Sequence, residues 1–162
     1  MSTSTTYRAL RIPADNRFPP HEVNLSVGQA SEAMLLYSIR LHHTLIPLPD
    51  EHMSHISNVS EVCPWIFTVF DHLDYMMQRF RCPYVIFYPI LSCDGLDFDV
   101  NLTIAEIKGS RYVEDKAWRG DIVVVKYTDH TLDTLDNISI SDYAILRNYF
   151  RTHDPPRTRP IL

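Results

Sequence analysis

The sequence predicts an α+β fold: a central sheet of about four or five strands with two long N-terminal helices and one C-terminal helix. Three observations lead there. Apolar residues recur at three- and four-residue spacing through much of the first eighty residues. Two β-rich runs, 84–91 and 122–125, punctuate the second half. A further helical pattern closes the chain after residue 141. The 162 residues suit one domain, 1–162, with tails at 1–8 and 155–162 expected to be disordered.

Taken in order, residues 9–12 suggest a short strand before the proline-bounded break at 13–20, and Val23, Leu25 and Val27 alternate as in an extended piece. Ser26 and Gln29 have the spacing of a capping box. They predict a first helix ending near Ile46, where Pro47 and Pro49 forbid continuation. Pro64 suits the first turn of a second helix, with Ile66, Val69, Phe70, Leu73, Met77 and Phe80 as its inward stripe. Trp65, Phe67, Tyr75 and Met76 widen that stripe beyond what one sheet face covers.

Residues 84–91 then read as a buried strand, and Asp94-Gly95 as a turn. Leu96, Phe98, Val100 and Leu102 alternate with Asp97, Asp99 and Asn101. Ile104 to Ile107 resumes the alternation, which predicts two strands over 96–108 with a tight turn near Asn101. A short helix over 111–119 with Gly120 as its C-terminal glycine leads into a strand over 121–127. Residues 129–136 form a polar, acidic connection, and the last helix spans 141–153, burying Ile145, Leu146, Tyr149 and Phe150.

Composition bounds the function. Hydrophobic residues are 45% and charged residues 22%, ordinary globular usage, and the formal charge of −5 argues against a partner held mainly through phosphates. Four glycines, at 28, 95, 109 and 120, cannot build a Walker loop or a G-x-G-x-x-G turn. No G-x-S-x-G elbow is present. Three cysteines without C-x-x-C spacing, and no apolar leader, point to a reducing compartment, cytoplasmic or nuclear rather than secreted. The longest apolar run is too short to span a bilayer, so no membrane partner is expected.

Two constellations have the residue types of a metal site. His42, His43, His52, His55 and His72 crowd the first half with Asp71 nearby, a loose zinc pattern whose plainer reading is surface histidines. The other is Asp97 or Asp99 followed by Glu106-Ile107-Lys108. Residues 106 and 108 share one face if they lie on a strand, where carboxylates could hold Mg²⁺ and the lysine could orient a water. The order helix, strand, strand, strand, helix, strand over 64–127 resembles the core of the PD-(D/E)xK nuclease superfamily. That resemblance implies metal ligands among Asp97, Asp99 and Glu106, catalytic roles for Asp99, Glu106 and Lys108, and cleavage of nucleic acid with Mg²⁺ as cofactor.

Against it stands the bland reading of 96–108 as a solvated strand face. The broad apolar helix surfaces favour instead a non-catalytic protein-interaction module that self-associates, with a protein or a second copy as partner and no cofactor.

Overall fold

Ile122–Tyr127 (β5) is the axis of the structure. Its first half pairs antiparallel with Ser4–Ile12 (β1), with Leu10 opposite Val124 and Ile12 opposite Ile122. Its second half pairs with the two-residue strand Leu135–Asp136 (β6) on the same side. The other side carries Tyr84–Pro89 (β4), which pairs in turn with Trp65–Phe70 (β3). His21–Gly28 (β2) pairs with β1 and completes a six-stranded sheet of order β2-β1-β5-β4-β3, with β6 attached to β5. Every pairing is antiparallel. The computed structural model describes residues 4–28, 65–89, 98–132 and 134–156.

The run of β-branched residues in β5 alternates between two cores. Ile122 and Val124 face one side, with Leu10, Ile12, Ile86 and Tyr88 from neighbouring strands. On that side pack Leu102–Lys108 (α1) through Ile104, and Tyr143–Thr152 (α2) through Leu146, Tyr149 and Phe150. Val123, Val125 and Tyr127 face the other side, with Ala9, Val85, Phe87 and Leu135. Period-two alternation thus serves both faces of a sheet buried on both sides. Trp118 joins the helical side, edge-on to Phe150 at 5.1 Å and to Tyr88 at 5.0 Å, with its indole N–H donating to the His153 carbonyl at 3.0 Å.

Several expected elements are corrected. Residues 26–28, placed at the start of a first helix, continue β2 opposite Thr6, Thr5 and Ser4; the remainder of that expected helix lies outside the described residues. The second expected helix is absent at 65–80: its start is β3, and a loop follows to Pro83. Trp-Ile-Phe-Thr-Val-Phe is a β-prone hexamer, and cross-strand pairing with β4 outweighs the helical spacing. That spacing reflects loop closure instead, since the Phe80 ring meets Phe70 edge-on at 5.3 Å while the Phe80 amide donates to the Asp71 carbonyl.

The strand pair expected over 96–108 is corrected to an extended piece, with Val100 bridged to Arg119, followed by α1. Asn101 starts α1 by accepting from the Ile104 amide, and Gly109 at φ 54° stops it. The helix expected over 111–119 is two short 3-10 turns, Gly109–Arg111 and Glu114–Lys116. The final helix is present, preceded by a 3-10 turn at Ile140–Asp142. Two α-helices, rather than three, stand among the described residues. None is long and apolar enough to cross a membrane.

Candidate functional site

The proline-bounded connection between β1 and β2, residues 13–20, is fastened at its base by buried polar groups. Asp121, 7% exposed, accepts from the Ala14 amide at 2.8 Å through one oxygen and from the Arg11 guanidinium through the other, at 2.8 Å from Nε. Asn101, 1% exposed, donates to the carbonyls of Ile12 and Gly120, both at 3.0 Å, while its oxygen caps α1. Thr103 donates to the Pro13 carbonyl at 2.8 Å, and the Leu102 amide to Ala14 at the same distance. Gly120 supplies the φ of 72° that lets its amide reach the Asp99 carbonyl while its own carbonyl meets Asn101.

The distal half of the loop is ordered by its own side chains. Asp15 accepts from the Arg17 amide at 3.0 Å and from its guanidinium at 2.7 Å, and the Phe18 amide closes a turn onto the Asp15 carbonyl. The Arg17 hydrogen bonds hold the Asp15 carboxyl below the ordinary carboxylate range. This turn presents Phe18, 59% exposed, to solvent.

Recesses flank the loop on two sides. The larger, about 940 Å³, is lined by Arg11, Asp99, Val100, Leu102 and Asp121 together with residues 13–19 of the loop. The smaller, about 290 Å³, is lined by Thr103, Glu106, Ile107, Tyr143 and Arg147. Asn16, Phe18 and Pro19 border both. The surface therefore combines an exposed ring with apolar lining residues and with charges already paired within the chain.

Of the residues singled out in the sequence, Asp99, Glu106 and Lys108 have separate surroundings. Asp99 is exposed and lines the larger recess. Glu106 lines the smaller one and accepts from the Asn16 side-chain amide. Lys108 is buried, with its ammonium 2.9 Å from Asp154. On a helix, positions two apart point about 200° away from each other. Glu106 and Lys108 therefore lack the shared face that a strand would give them. Asp97 lies outside the described residues, as do His42, His43, His52 and His55. His72 lies 2.7 Å from one oxygen of Asp71, and His130 lies 3.7 Å from the other. Among the described residues no three His, Cys, Asp or Glu side chains cluster as metal ligands would.

Sequence reasoning passed over Arg11, Phe18, Asn101 and Asp121. The available signal was Phe18 itself, a lone aromatic in a polar, proline-bounded stretch.

No protein-family model matches the sequence, and no curated protein matches it. Among solved structures, the crystal structure of small RNA methyltransferase HEN1 is similar over 93% of this chain, at 13% identity and a TM-score of 0.42. The match spans about 16% of that protein's chain. Nothing about activity is carried across from it.

Proposed function

We propose that this chain is a non-catalytic protein-interaction module that docks through the β1–β2 loop and the recesses beside it. One observation carries the reading: Phe18 is well exposed on a loop whose base is held by buried hydrogen bonds. Interfaces concentrate their energy in a few aromatic or arginine anchors ringed by contacts that exclude water. An anchor already ordered before binding forfeits little conformational entropy on association. Phe18 is an aromatic of this kind on a loop ordered at its base, with Arg17 beside it and Pro13, Ala14 and Val100 lining the same recess.

The test places a photo-crosslinking phenylalanine analogue at position 18 and irradiates the full chain in its native cell extract. Discrete protein adducts are expected, absent when the same probe replaces exposed Asp115 on the Glu114–Lys116 turn. Equal, diffuse labelling from both positions would dismiss the docking surface.

A further inference from the structure

We propose that the connection between β3 and β4, residues 71–82, is a lid held against the end of α2 by the protonated imidazole of His153, and that it loosens when that proton leaves. The device stands apart from the β1–β2 loop. Hydrogen-bond polarity carries it. The Nε2 atom of His153 lies 3.2 Å from a carboxylate oxygen of Asp74, and Nδ1 lies 3.0 Å from the Tyr149 carbonyl. A carbonyl and an ionised carboxylate can only accept, so each ring nitrogen must carry a hydrogen. Only the imidazolium meets that demand. Either neutral tautomer turns a lone pair on one of the two oxygens. The Thr152 hydroxyl, 3.1 Å from Nδ1, can donate or accept and so suits both states.

Two further contacts favour the charged ring. His153 is the C-cap residue of α2, where the last helix carbonyls concentrate negative potential. Its ring stacks on Tyr149 at 4.1 Å and 10°, which sets a cation against an aromatic face. The charges adjoining it in sequence are Arg151, in the last turn of α2, and Asp154, already paired with Lys108 of α1. On the lid itself, Asp71 has His72 at 2.7 Å, with Arg79 and His130 each at 3.7 Å. Arg79 keeps that aspartate partnered when the histidines are neutral. The lid covers apolar groups. Leu73 is buried in the helical-side core, and Phe80 closes over Phe70, whose ring lies 4.3 Å from Tyr149. A second tie to α2 is the Asn148 side-chain amide donating to the Tyr75 hydroxyl at 3.0 Å. Both ties lie near solvent, so the lid can open while the rest of the molecule stays folded.

Amide hydrogen exchange of the full chain tests this at about pH 5.5 and about pH 8, either side of the range in which histidine changes charge, with rates corrected for the intrinsic effect of pH. The reporters are the lid amides of Met76 and Phe80, which donate to the Leu73 and Asp71 carbonyls. The Val124 amide, within β5, is the control. Wild type should lose about threefold in lid protection from the lower pH to the higher, with Val124 unchanged. In Asp74→Asn and in His153→Gln, lid protection should sit at the wild-type high-pH level and stay there at both pH values. His72→Gln combined with His130→Gln should keep most of the wild-type difference. Equal lid protection at both pH values in wild type, or a difference that survives Asp74→Asn, overturns the proposal. A difference abolished by the His72 and His130 pair of substitutions overturns it too, because the proton would then act at Asp71.

Discussion

The Asp121 carboxylate holds the Arg11 guanidinium on one oxygen and the Ala14 amide on the other, joining the start of β5 to the end of β1 and to the loop that carries Phe18. Both ionic partners are mostly shielded, with side-chain exposures of 20% and 10%. Removing one member of such a pair strands the other without water to replace it. Asp121→Ala is therefore expected to lower unfolding stability by about 3 kcal/mol in urea titration. Arg11→Met combined with Asp121→Leu should lose clearly less, since no charge is then left unpaired. A double variant as unstable as Asp121→Ala would put the cost on the stranded Ala14 amide rather than on the unpaired arginine.

Asn101 serves three backbone groups at once: the carbonyls of Ile12 and Gly120, and the Ile104 amide. Asn101→Ala loses all three bonds, whereas Asn101→Asp keeps the cap acceptor but sets a buried carboxylate against both carbonyls. The expected cost is about 3 kcal/mol for Ala, from buried groups left unsatisfied, and more for Asp, from an unpaired buried charge. Thermal denaturation ranks them, and an Asp variant milder than Ala would contradict the burial of this side chain.

The strands with strong local character were legible in the sequence, and the elements decided by pairing or capping were not. Ile122 to Val125 and Tyr84 to Tyr88 declare themselves through β-branched and aromatic residues, and α2 through its amphipathic spacing. Residues 65–70 fit a helical stripe as well as a strand, and only the β4 partner decides. Residues 102–108 alternate like a strand, yet Asn101 and Gly109 bracket a helix. That one reversal separates Glu106 from Lys108. The proline-bounded break at 13–20 was legible but its fastening was not: its base is held by contacts from residues about 90 to 110 positions away in sequence, such as Asp121 to Ala14 and Thr103 to Pro13.

Glu106 and Lys108 should respond to substitution as unrelated residues. Glu106 is exposed and its carboxylate accepts from the Asn16 side chain at the surface, so Glu106→Ala should change stability by less than about 0.5 kcal/mol. The Lys108 stem is buried beside α2, so Lys108→Ala should cost about 1–2 kcal/mol and Lys108→Met clearly less, because methionine refills the volume of the stem. Urea midpoints measure both. A strong coupling between the two positions in a double-mutant cycle would contradict their separation on α1.

Asp142 predicts an acid limb in the stability profile. Burial pushes its carboxyl up, but hydrogen bonds from Tyr84 and the Ser139 amide, with the Lys126 ammonium, outweigh burial and hold it below the ordinary carboxylate range. A folded-state value below the unfolded one means a contribution fully present above the unfolded value of about 3.9 and lost as pH falls through the folded value. Stability should therefore decline below about pH 4, and Asp142→Asn should flatten that part of the decline. An acid limb unchanged in Asp142→Asn would assign it to other carboxylates.

Tyr84 and Tyr88 stand four residues apart on β4 and should answer the same substitution with opposite signs. The Tyr84 hydroxyl donates to Asp142 at 2.7 Å, and its ionisation is pushed far up by burial and then by that carboxylate. Tyr84→Phe removes the bond and leaves the buried side of Asp142 short of a donor, a loss of about 1–2 kcal/mol. The Tyr88 hydroxyl is buried without a hydrogen-bond partner among the described residues, and its ring lies perpendicular to Trp118. Its desolvation is uncompensated, so Tyr88→Phe should leave stability unchanged or raise it by about 1 kcal/mol. Chemical denaturation of the two single variants gives the comparison directly. A loss at position 88 as large as that at 84 would mean that the Tyr88 hydroxyl is hydrogen-bonded in solution, with an internal water as its partner.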